Sequence, residues 1–172
     1  NYGVQQSKTR KVQVDDACGM LEAVSGVDER LLMLGGNKAE IRWSEDKGHL
    51  EGMAQELAGS LVYASQASAP EEITGFAPRY NSLSASSGGN SISGGGSGSD
   101  NTSIWLVGWG DNKIFGIYPK GTPMGIRHVD QGLVEETDAD GGTYMAYKSR
   151  YYLDAGLAVA DWRYAVRIAN ID

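Results

Sequence analysis

The stretch NTSIWLVGWGDNKIFGIYPKG, residues 101–121, decides the fold class, and two runs of the same character follow it: TYMAYKSRYYL at residues 143–153 and DWRYAVRIANID at residues 161–172. All three are rich in β-branched and aromatic residues, and turn-forming residues lie between or within them. Short runs of this composition are typical of β-strands. The sequence therefore predicts a β-rich domain over residues 104–172.

Turn residues divide this domain into antiparallel hairpins. Gly-Asp-Asn at residues 110–112 predicts a hairpin over residues 104–118, and Asp-Ala-Asp-Gly-Gly at residues 138–142 predicts another over residues 133–153. Asp-Ala-Gly at residues 154–156 predicts a further reversal before the last strand. In that strand, alternation places Trp162, Tyr164, Val166 and Ile168 on one face and Arg163, Ala165 and Arg167 on the other.

Aromatic side chains give the domain two interpretations. The first is that they fill its core, and the rings concerned are Trp105, Trp109, Tyr118, Tyr152, Trp162 and Tyr164. The second is that they form an exposed stacking platform for sugars. The second interpretation keeps a carbohydrate-binding β-rich module as an alternative function.

One long helix is predicted before this domain. Asn37 is placed to cap its first turn, and Glu40, three residues later, completes a capping box. Apolar residues then recur at helical spacing up to about Ala64: Ala39, Trp43, Leu50, Met53, Leu57 and Leu61. Such a helix is about 40 Å long, whereas a compact domain of this size has a radius of gyration of only about 15 Å. Its apolar stripe is therefore expected to need a partner outside its own subunit.

Two details of this helix carry further expectations. A break near Ser44 is the alternative to one continuous helix, because acidic residues follow it as in a new first turn. Glycines weaken a helix by up to about 1 kcal/mol each. The clustering of Gly48, Gly52 and Gly59 therefore predicts that another element passes close to the helix there.

The segments on either side of the helix have few apolar residues. Residues 2–14 are polar and basic, which predicts an extended arm, and residues 18–27 show no clear pattern. A short helix is predicted over residues 28–34, before a Gly-Gly pair. Residues 67–103 are predicted to be a connector, and its stretch from Ser84 to Ser103 is so rich in Gly and Ser that it cannot pack a core.

Composition excludes several function classes. The net charge is −7 and the isoelectric point is about 4.8, whereas a nucleic-acid-binding surface needs a basic patch. No apolar run approaches the roughly 20 residues of a membrane span. Cys18 is the only cysteine, so neither an internal disulfide nor a cysteine-based zinc site is expected.

The motifs for catalysis and metal binding are incomplete. Asp138-Ala139-Asp140 resembles the start of a calcium loop, but Ser149 stands where the closing Glu would be, so a polar turn is the preferred interpretation. His128 has Asp130 nearby, yet the chain has no Gly-x-Ser-x-Gly elbow for a nucleophile. We therefore predict no catalytic residue, cofactor or metal, and a hydrolase centred on His128 is only a third hypothesis.

Several blocks, read together and in order, resemble one protein family. They are CGMLEA (residues 18–23), SEDKGHLEGMAQELAGSLVYAS (44–65), GFAPRYNSL (75–83), SDNTSIWLVGWG (99–110), IYPKG (117–121), DADGGTYMAYKSRYYLDAGLAV (138–159) and DWRYAVRIANID (161–172). They are similar to the major capsid proteins of tailed bacteriophages, and more narrowly to podophage-type sequences that share these blocks. The likeness extends over nearly the whole chain.

The resemblance implies an α+β architecture, the HK97-like capsid fold, with a long spine helix and a β-rich remainder of antiparallel hairpins. Residues 37–66 would be the spine helix, and residues 1–36 the returning strand of an extended loop with its connector. Residues 67–103 would be the connector loop, and residues 104–172 the β-rich domain. Family members are longer, so we expect this chain to be a fragment or a processed product.

The function that the resemblance implies is structural. The chain would be a subunit of an icosahedral capsid that self-assembles into the head shell enclosing the genome, without enzymatic activity. Its partners would be other copies of itself, with scaffolding, portal or decoration proteins in addition, and no sequence-specific nucleic acid or membrane. It would be located in the virion after assembly in the host cytoplasm. The alternative function is a carbohydrate-binding or tail-associated β-rich module of a phage particle. Inter-subunit charge contacts are predicted at Arg10, Lys11, Arg163 and Arg167.

Overall fold

The computed structural model describes residues 13–84 and 88–171, and they form a mixed fold of helices and sheets. The helices are α1 (Glu29–Leu34), α2 (Lys38–Tyr63) and α3 (Phe76–Arg79). The strands are β1 (Cys18–Asp28), β2 (Ser91–Ser93), β3 (Thr102–Val107), β4 (Ile114–Ile117), β5 (Arg127–Thr137), β6 (Thr143–Val159) and β7 (Ala165–Ile171). None of the helices described has the length and apolar character needed to cross a bilayer.

The larger sheet is built around β6, which pairs antiparallel on both of its edges. β1 lies along one edge, with Cys18 opposite Gly156. On the other edge β5 and β4 follow one another, and Ile117 at the end of β4 also pairs with Gly156. The smaller sheet is built around β7, with β2 parallel on one side and β3 antiparallel on the other.

The predicted hairpin over residues 133–153 is confirmed, since β5 and β6 flank a turn at residues 138–142. Asp138 stabilises the turn, because its Oδ1 accepts hydrogen bonds from the backbone N–H of Asp140 at 3.0 Å and of Gly142 at 2.7 Å. The carboxylate therefore serves the backbone, in agreement with the polar-turn interpretation.

The predicted hairpin over residues 104–118 is wrong, because β3 pairs with β7 whereas β4 pairs with β6. The turn between them exists: Gly110 and Asn112 both have positive φ, and Lys113 N–H donates to the Gly110 carbonyl at 3.1 Å. It leads the chain from the smaller sheet into the larger one, because β3 and β4 each pair with a strand that is distant in sequence.

The predicted reversal at residues 154–156 is also wrong, because β6 continues through it. Gly156 is explained by crowding. A Cβ at this position would lie 2.8 Å from the Ala17 carbonyl oxygen and 2.9 Å from Ile117 Cγ1. A glycine inside a strand often marks such a close approach of backbone.

The last strand begins later than predicted. Trp162–Tyr164 form a single 3₁₀ turn capped by the side chain of Asp161, and β7 starts only at Ala165. Within β7 the predicted alternation holds, since Ala165 is buried while Val166 and Ile168 lie on the opposite face.

The main hydrophobic core lies where the two sheets and α3 meet, and its buried members are Ala64, Ile73, Phe76, Tyr80, Ile114, Leu157 and Ala165. Three of them, Ile73, Phe76 and Tyr80, lie in the first part of residues 67–103, before the stretch from Ser84 to Ser103 that is predicted to pack no core. Tyr80 is fixed there because its hydroxyl donates to the Trp162 carbonyl at 2.8 Å.

The aromatic-core prediction holds only in part. Trp105 packs against Phe76 and Tyr80, with ring centroids 5.9 and 6.1 Å apart, and Tyr152 is half-buried. The other predicted core rings are exposed: Trp109, Tyr118, Trp162 and Tyr164. These rings lie beyond strand ends: Trp109 follows β3, Tyr118 follows β4, and Trp162 and Tyr164 precede β7.

The long helix is confirmed as one continuous element of 26 residues, so the alternative break near Ser44 is wrong. Asn37 caps it as predicted, since its side chain accepts a hydrogen bond from the Glu40 N–H at 3.4 Å and donates one to Glu40 Oε2 at 3.2 Å. A Cβ added at Gly48, Gly52 or Gly59 would meet nothing within 4 Å, so within the described chain no element makes the predicted close approach.

Candidate functional site

The residues that the sequence predicts at contacts between subunits have different surroundings. Arg163 is 71% exposed and pairs with Asp161 at 2.7 Å, and its hydrogen bond lowers the pKa of that carboxyl. Arg167 lies over the Trp105 ring at 5.4 Å and donates to the Tyr80 carbonyl at 3.0 Å. Arg10 and Lys11 lie outside the described residues. Arg167 therefore stabilises its own subunit, whereas Arg163 is accessible to a neighbour.

The outer face of the smaller sheet is apolar and uncovered. Ile168 in β7 pairs with Ile92 of β2 and Ile104 of β3, and Val166 pairs with Leu106. Ile92, Ile104 and Leu106 are 52%, 49% and 57% exposed. We call these five side chains the aliphatic face: Ile92, Ile104, Leu106, Val166 and Ile168.

The inner face of the same sheet is covered. There Ala165 and Ala169 are buried, and Trp105 packs against the core rings. Antiparallel sheets commonly cover one face with the core and leave a polar face to solvent. Here the second face is as apolar as the first, which is typical of a surface that another molecule covers.

A second uncovered apolar region lies around α1. Leu32 points into the chain and is buried, while Leu31, Met33 and Leu34 are exposed, Leu34 to 85%. On α2, Trp43 is exposed, and so is Tyr63 about 30 Å further along the helix. A helix that is apolar on both sides is expected to be buried on both sides.

The total surface agrees with this picture. The chain exposes 11916 Å², whereas a compact monomer of 18.4 kDa exposes about 8,200 Å². The sixteen residues outside the described ranges, however placed, add at most about 2,500 Å². More surface is therefore exposed than a self-contained domain would leave.

Polar contacts help to hold α2 on the larger sheet. Arg42 donates to both carboxylate oxygens of Asp130 on β5, at 3.1 and 2.8 Å, and to Ser149 Oγ on β6 at 3.1 Å. This hydrogen-bonded pairing raises the pKa of Arg42 and lowers the pKa of Asp130. One turn further along α2, Asp46 is buried and accepts a 2.9 Å hydrogen bond from the Tyr151 hydroxyl.

The surroundings of Tyr151 favour its neutral form. Burial, and then the hydrogen bond to the Asp46 carboxylate, raise the pKa of Tyr151 to about 12. His128 stacks on its ring with centroids 4.8 Å apart. His128 lies in β5. In this position it packs against the residue that anchors α2.

Towards its C-terminal end α2 separates from the sheet and leaves a cleft of about 200 Å³. Its floor is one face of the paired strands β1 and β6, formed by Gly19, Leu21, Leu153 and Ala155. Leu57 and Ile73 line its sides, and Glu56, Glu71 and Glu72 form an acidic rim. We call this space the acidic cleft. It is smaller than the roughly 300–1,000 Å³ of typical small-molecule sites.

Neither the acidic cleft nor the anchoring of α2 is predicted from the sequence. Arg42 and Asp130 are 88 positions apart, and Asp46 and Tyr151 are 105 apart. The one local signal in the sequence is Asp46, a polar residue among the apolar positions of α2. A polar residue that is buried at such a position is expected to be hydrogen-bonded. Within residues 13–84 and 88–171, no group of three His, Cys, Asp or Glu side chains could hold a metal ion.

Comparison with known proteins identifies a family and a similar solved structure. A family model described as "Major capsid protein GP7" matches residues 1–172. A solved structure titled "Validated Near-Atomic Resolution Structure of Bacteriophage Epsilon15 Derived from Cryo-EM and Modeling" is similar at 40% identity with a TM-score of 0.65. The match covers 100% of this chain and 52% of that one, so the chain spans about half the length of the phage protein. None of the curated proteins matches.

Proposed function

The chain belongs to the family of the major capsid protein GP7, and we propose on that premise that it is a structural subunit of a bacteriophage icosahedral capsid. It self-associates into the head shell that encloses the genome. The proposal assigns it no catalytic step and places it in the virion, after assembly in the cytoplasm of the bacterial host. Scaffolding, portal or decoration proteins are proposed as further partners.

The proposed architecture is the HK97-like capsid fold. In this proposal α2 is the spine helix, and the two sheets form the β-rich part beside it. The continuity of α2 over 26 residues supports this assignment. So does the exposure of most of its side chains, because it leaves much of the helix surface for neighbours.

The observation that carries the proposal is the aliphatic face. Five aliphatic side chains on three neighbouring strands have no covering element in the described chain. Burying apolar surface contributes about 25 cal/mol per Å², so a face of this kind favours association with another surface. Interfaces of permanent assemblies resemble a domain core divided in two.

The carbohydrate-binding alternative has less support. Trp109, Tyr118, Trp162 and Tyr164 are exposed, but within the described residues no two of these rings contact each other. Sugar recognition would need exposed rings gathered on one surface. We therefore keep the structural function.

The experiment is to express the whole protein and to examine it by negative-stain electron microscopy and light scattering. The proposal expects closed shells or capsomers. A protein that stays monomeric at all concentrations and binds glycans would contradict it and would favour the carbohydrate-binding module.

A further inference from the structure

A second cavity, of about 400 Å³, lies between the smaller sheet and the segment that follows α3. Residues 80–84 line it from that segment, and Ser91, Arg167 and Asn170 line it from β2 and β7. Its volume falls within the roughly 300–1,000 Å³ of typical small-molecule sites, whereas the acidic cleft is smaller. We call this space the Arg167 pocket.

The strand register places its polar side chains on one face. Ser91 of β2 lies opposite Arg167 of β7, and Trp105 of β3 lies opposite Arg167 on its other side. Residues that lie opposite each other in a sheet carry their side chains on the same face. The Arg167 guanidinium lies over the Trp105 ring at 5.4 Å. The Ser91 hydroxyl and the guanidinium therefore share the inner face of the sheet.

The guanidinium has hydrogen-bonding capacity left. It has five N–H groups. Nε and Nη2 donate to Ser103 Oγ at 3.3 and 3.2 Å, and Nη1 donates to the Tyr80 carbonyl at 3.0 Å. One N–H group on each terminal nitrogen is thus left without an acceptor among the described residues.

The charge of Arg167 is also unmatched. No ion pair between described residues includes this side chain, although it is partly buried. Arginine in such a position is usually paired with a carboxylate, because a buried charge is costly without a partner. The pocket therefore presents a cation that lacks its counter-ion.

Ser91 supplies an independent observation. It is only 7% exposed, and its Oγ has no hydrogen-bond partner in the described chain. Buried hydroxyl groups in folded proteins are nearly always hydrogen-bonded. A ligand in the pocket that Ser91 lines would provide the missing acceptor.

The lining also indicates the charge of the ligand. Arg167 is the one charged side chain among the lining residues that the structure describes, and the polar groups beside it are the hydroxyls of Ser82, Ser84 and Ser91 and the amides of Asn81 and Asn170. Two N–H groups of one guanidinium match the two oxygens of one carboxylate. A phosphate group, with a charge of about −1.5 to −2, would lack a second cation.

We propose that the Arg167 pocket binds one carboxylate group, which accepts hydrogen bonds from the two remaining N–H groups of Arg167 and from the Ser91 hydroxyl. The carboxylate comes either from a small organic acid or from an acidic side chain of a second copy of the chain. The pocket lies on the opposite face of the smaller sheet from the aliphatic face. It is formed within one copy, so this inference goes beyond the proposed shell function and does not depend on it.

Calorimetric titration of the unassembled whole protein tests the proposal. The probe is N-acetyl-L-glutamate amide, whose only charge is its side-chain carboxylate, and the control ligand is the neutral isostere N-acetyl-L-glutamine amide. The charged probe is expected to bind at least about tenfold more tightly, because its hydrogen bonds are charge-assisted. Equal affinities, or no binding of either compound, would overturn the proposal.

Two variants locate the binding. Ser91→Ala is expected to weaken the charged probe at least about threefold without lowering the melting temperature, because the hydroxyl makes no internal hydrogen bond. Arg167→Lys keeps the charge but loses the planar fork, and is expected to weaken the probe at least about tenfold. Since Arg167 also bonds to Tyr80 and Ser103, Ser91→Ala decides if Arg167→Lys does not fold.

Arg163→Lys is the matched control, because Arg163 is exposed and lies outside the pocket. Its affinity for the charged probe should stay within about twofold of the unmodified protein. Unchanged affinity in Ser91→Ala and in every folded Arg167 variant would overturn the proposal.

Assembly assays distinguish the two sources of the carboxylate. If a second copy supplies it, a saturating concentration of the charged probe should lower the yield of shells, whereas the neutral isostere should not. If a small organic acid supplies it, neither compound should change the yield, and assembled shells should bind the charged probe as tightly as unassembled protein. Failure of the unmodified protein to form shells would contradict the proposed function, while the titration would still decide this inference.

Discussion

The Tyr151 hydroxyl of β6 donates a 2.9 Å hydrogen bond to the buried Asp46 carboxylate of α2, across 105 positions of sequence. Tyr151→Phe removes this donor and leaves the buried Asp46 carboxylate without this hydrogen bond. We expect a loss of about 1–3 kcal/mol in the free energy of unfolding. Urea denaturation followed by circular dichroism measures it.

A double-mutant cycle serves as the control for this prediction. Asp46→Leu combined with Tyr151→Phe removes both partners. The double variant should therefore lose less stability than the sum of the losses in the two single variants. Strict additivity would show that the hydrogen bond does not couple α2 to the sheet.

The same pair predicts an alkaline pH dependence of stability. The pKa of Tyr151 is raised from 10.0 to about 12 in the folded chain, first by burial and then by Asp46. Its contribution to stability is therefore complete below pH 10 and is lost as the pH rises towards 12. Tyr151→Phe should show a shallower loss of stability across this window in thermal melts. Equal slopes for both proteins would contradict the assignment.

Gly156 offers a test of the close approach between β6 and its neighbours at Ala17 and Ile117. Gly156→Ala places a Cβ 2.8 Å from the Ala17 carbonyl oxygen and 2.9 Å from Ile117 Cγ1, and such overpacking costs about 1–3 kcal/mol. Gly116→Ala is the matched control, because the nearest atom to its new Cβ is 3.9 Å away. Thermal unfolding should separate the two variants. Similar melting temperatures would mean that the backbone moves apart freely at Gly156.

A substitution on the aliphatic face is expected to impair assembly without destabilising the folded monomer. Ile104→Lys changes a side chain that is half exposed within its own subunit, so the free energy of unfolding should change by no more than about 0.5 kcal/mol. Shell yield should nevertheless fall sharply, because a charge would be buried at the contact between copies. Asp111→Lys, an exposed loop change, is the control and should assemble normally. A large loss of monomer stability in Ile104→Lys would assign the residue to the core instead.

Local signals in the sequence account for what could be predicted. The capping box at Asn37 and the 3.6-residue spacing of apolar residues mark α2 to within one residue at its start, and Asp138 with Gly142 marks the β5–β6 turn. These features depend on neighbours a few positions away. They can therefore be read without knowing the tertiary structure.

What could not be predicted depends on distant partners. β1 has a weak pattern because its inner positions carry small residues, among them Gly19, Ala23 and Ser25, and it is held by pairing with β6. The turn at Gly110 looks like a hairpin turn, yet its flanking strands pair with β6 and β7. The acidic cleft and the Asp46–Tyr151 contact likewise join segments that are far apart in sequence.

Cryo-electron microscopy of the assembled whole protein tests the central claim most directly. The account predicts a closed shell in which density from a neighbouring copy covers Ile92, Ile104 and Ile168. A shell in which these three side chains face solvent, or a sample that holds only monomers under every assembly condition, would contradict it.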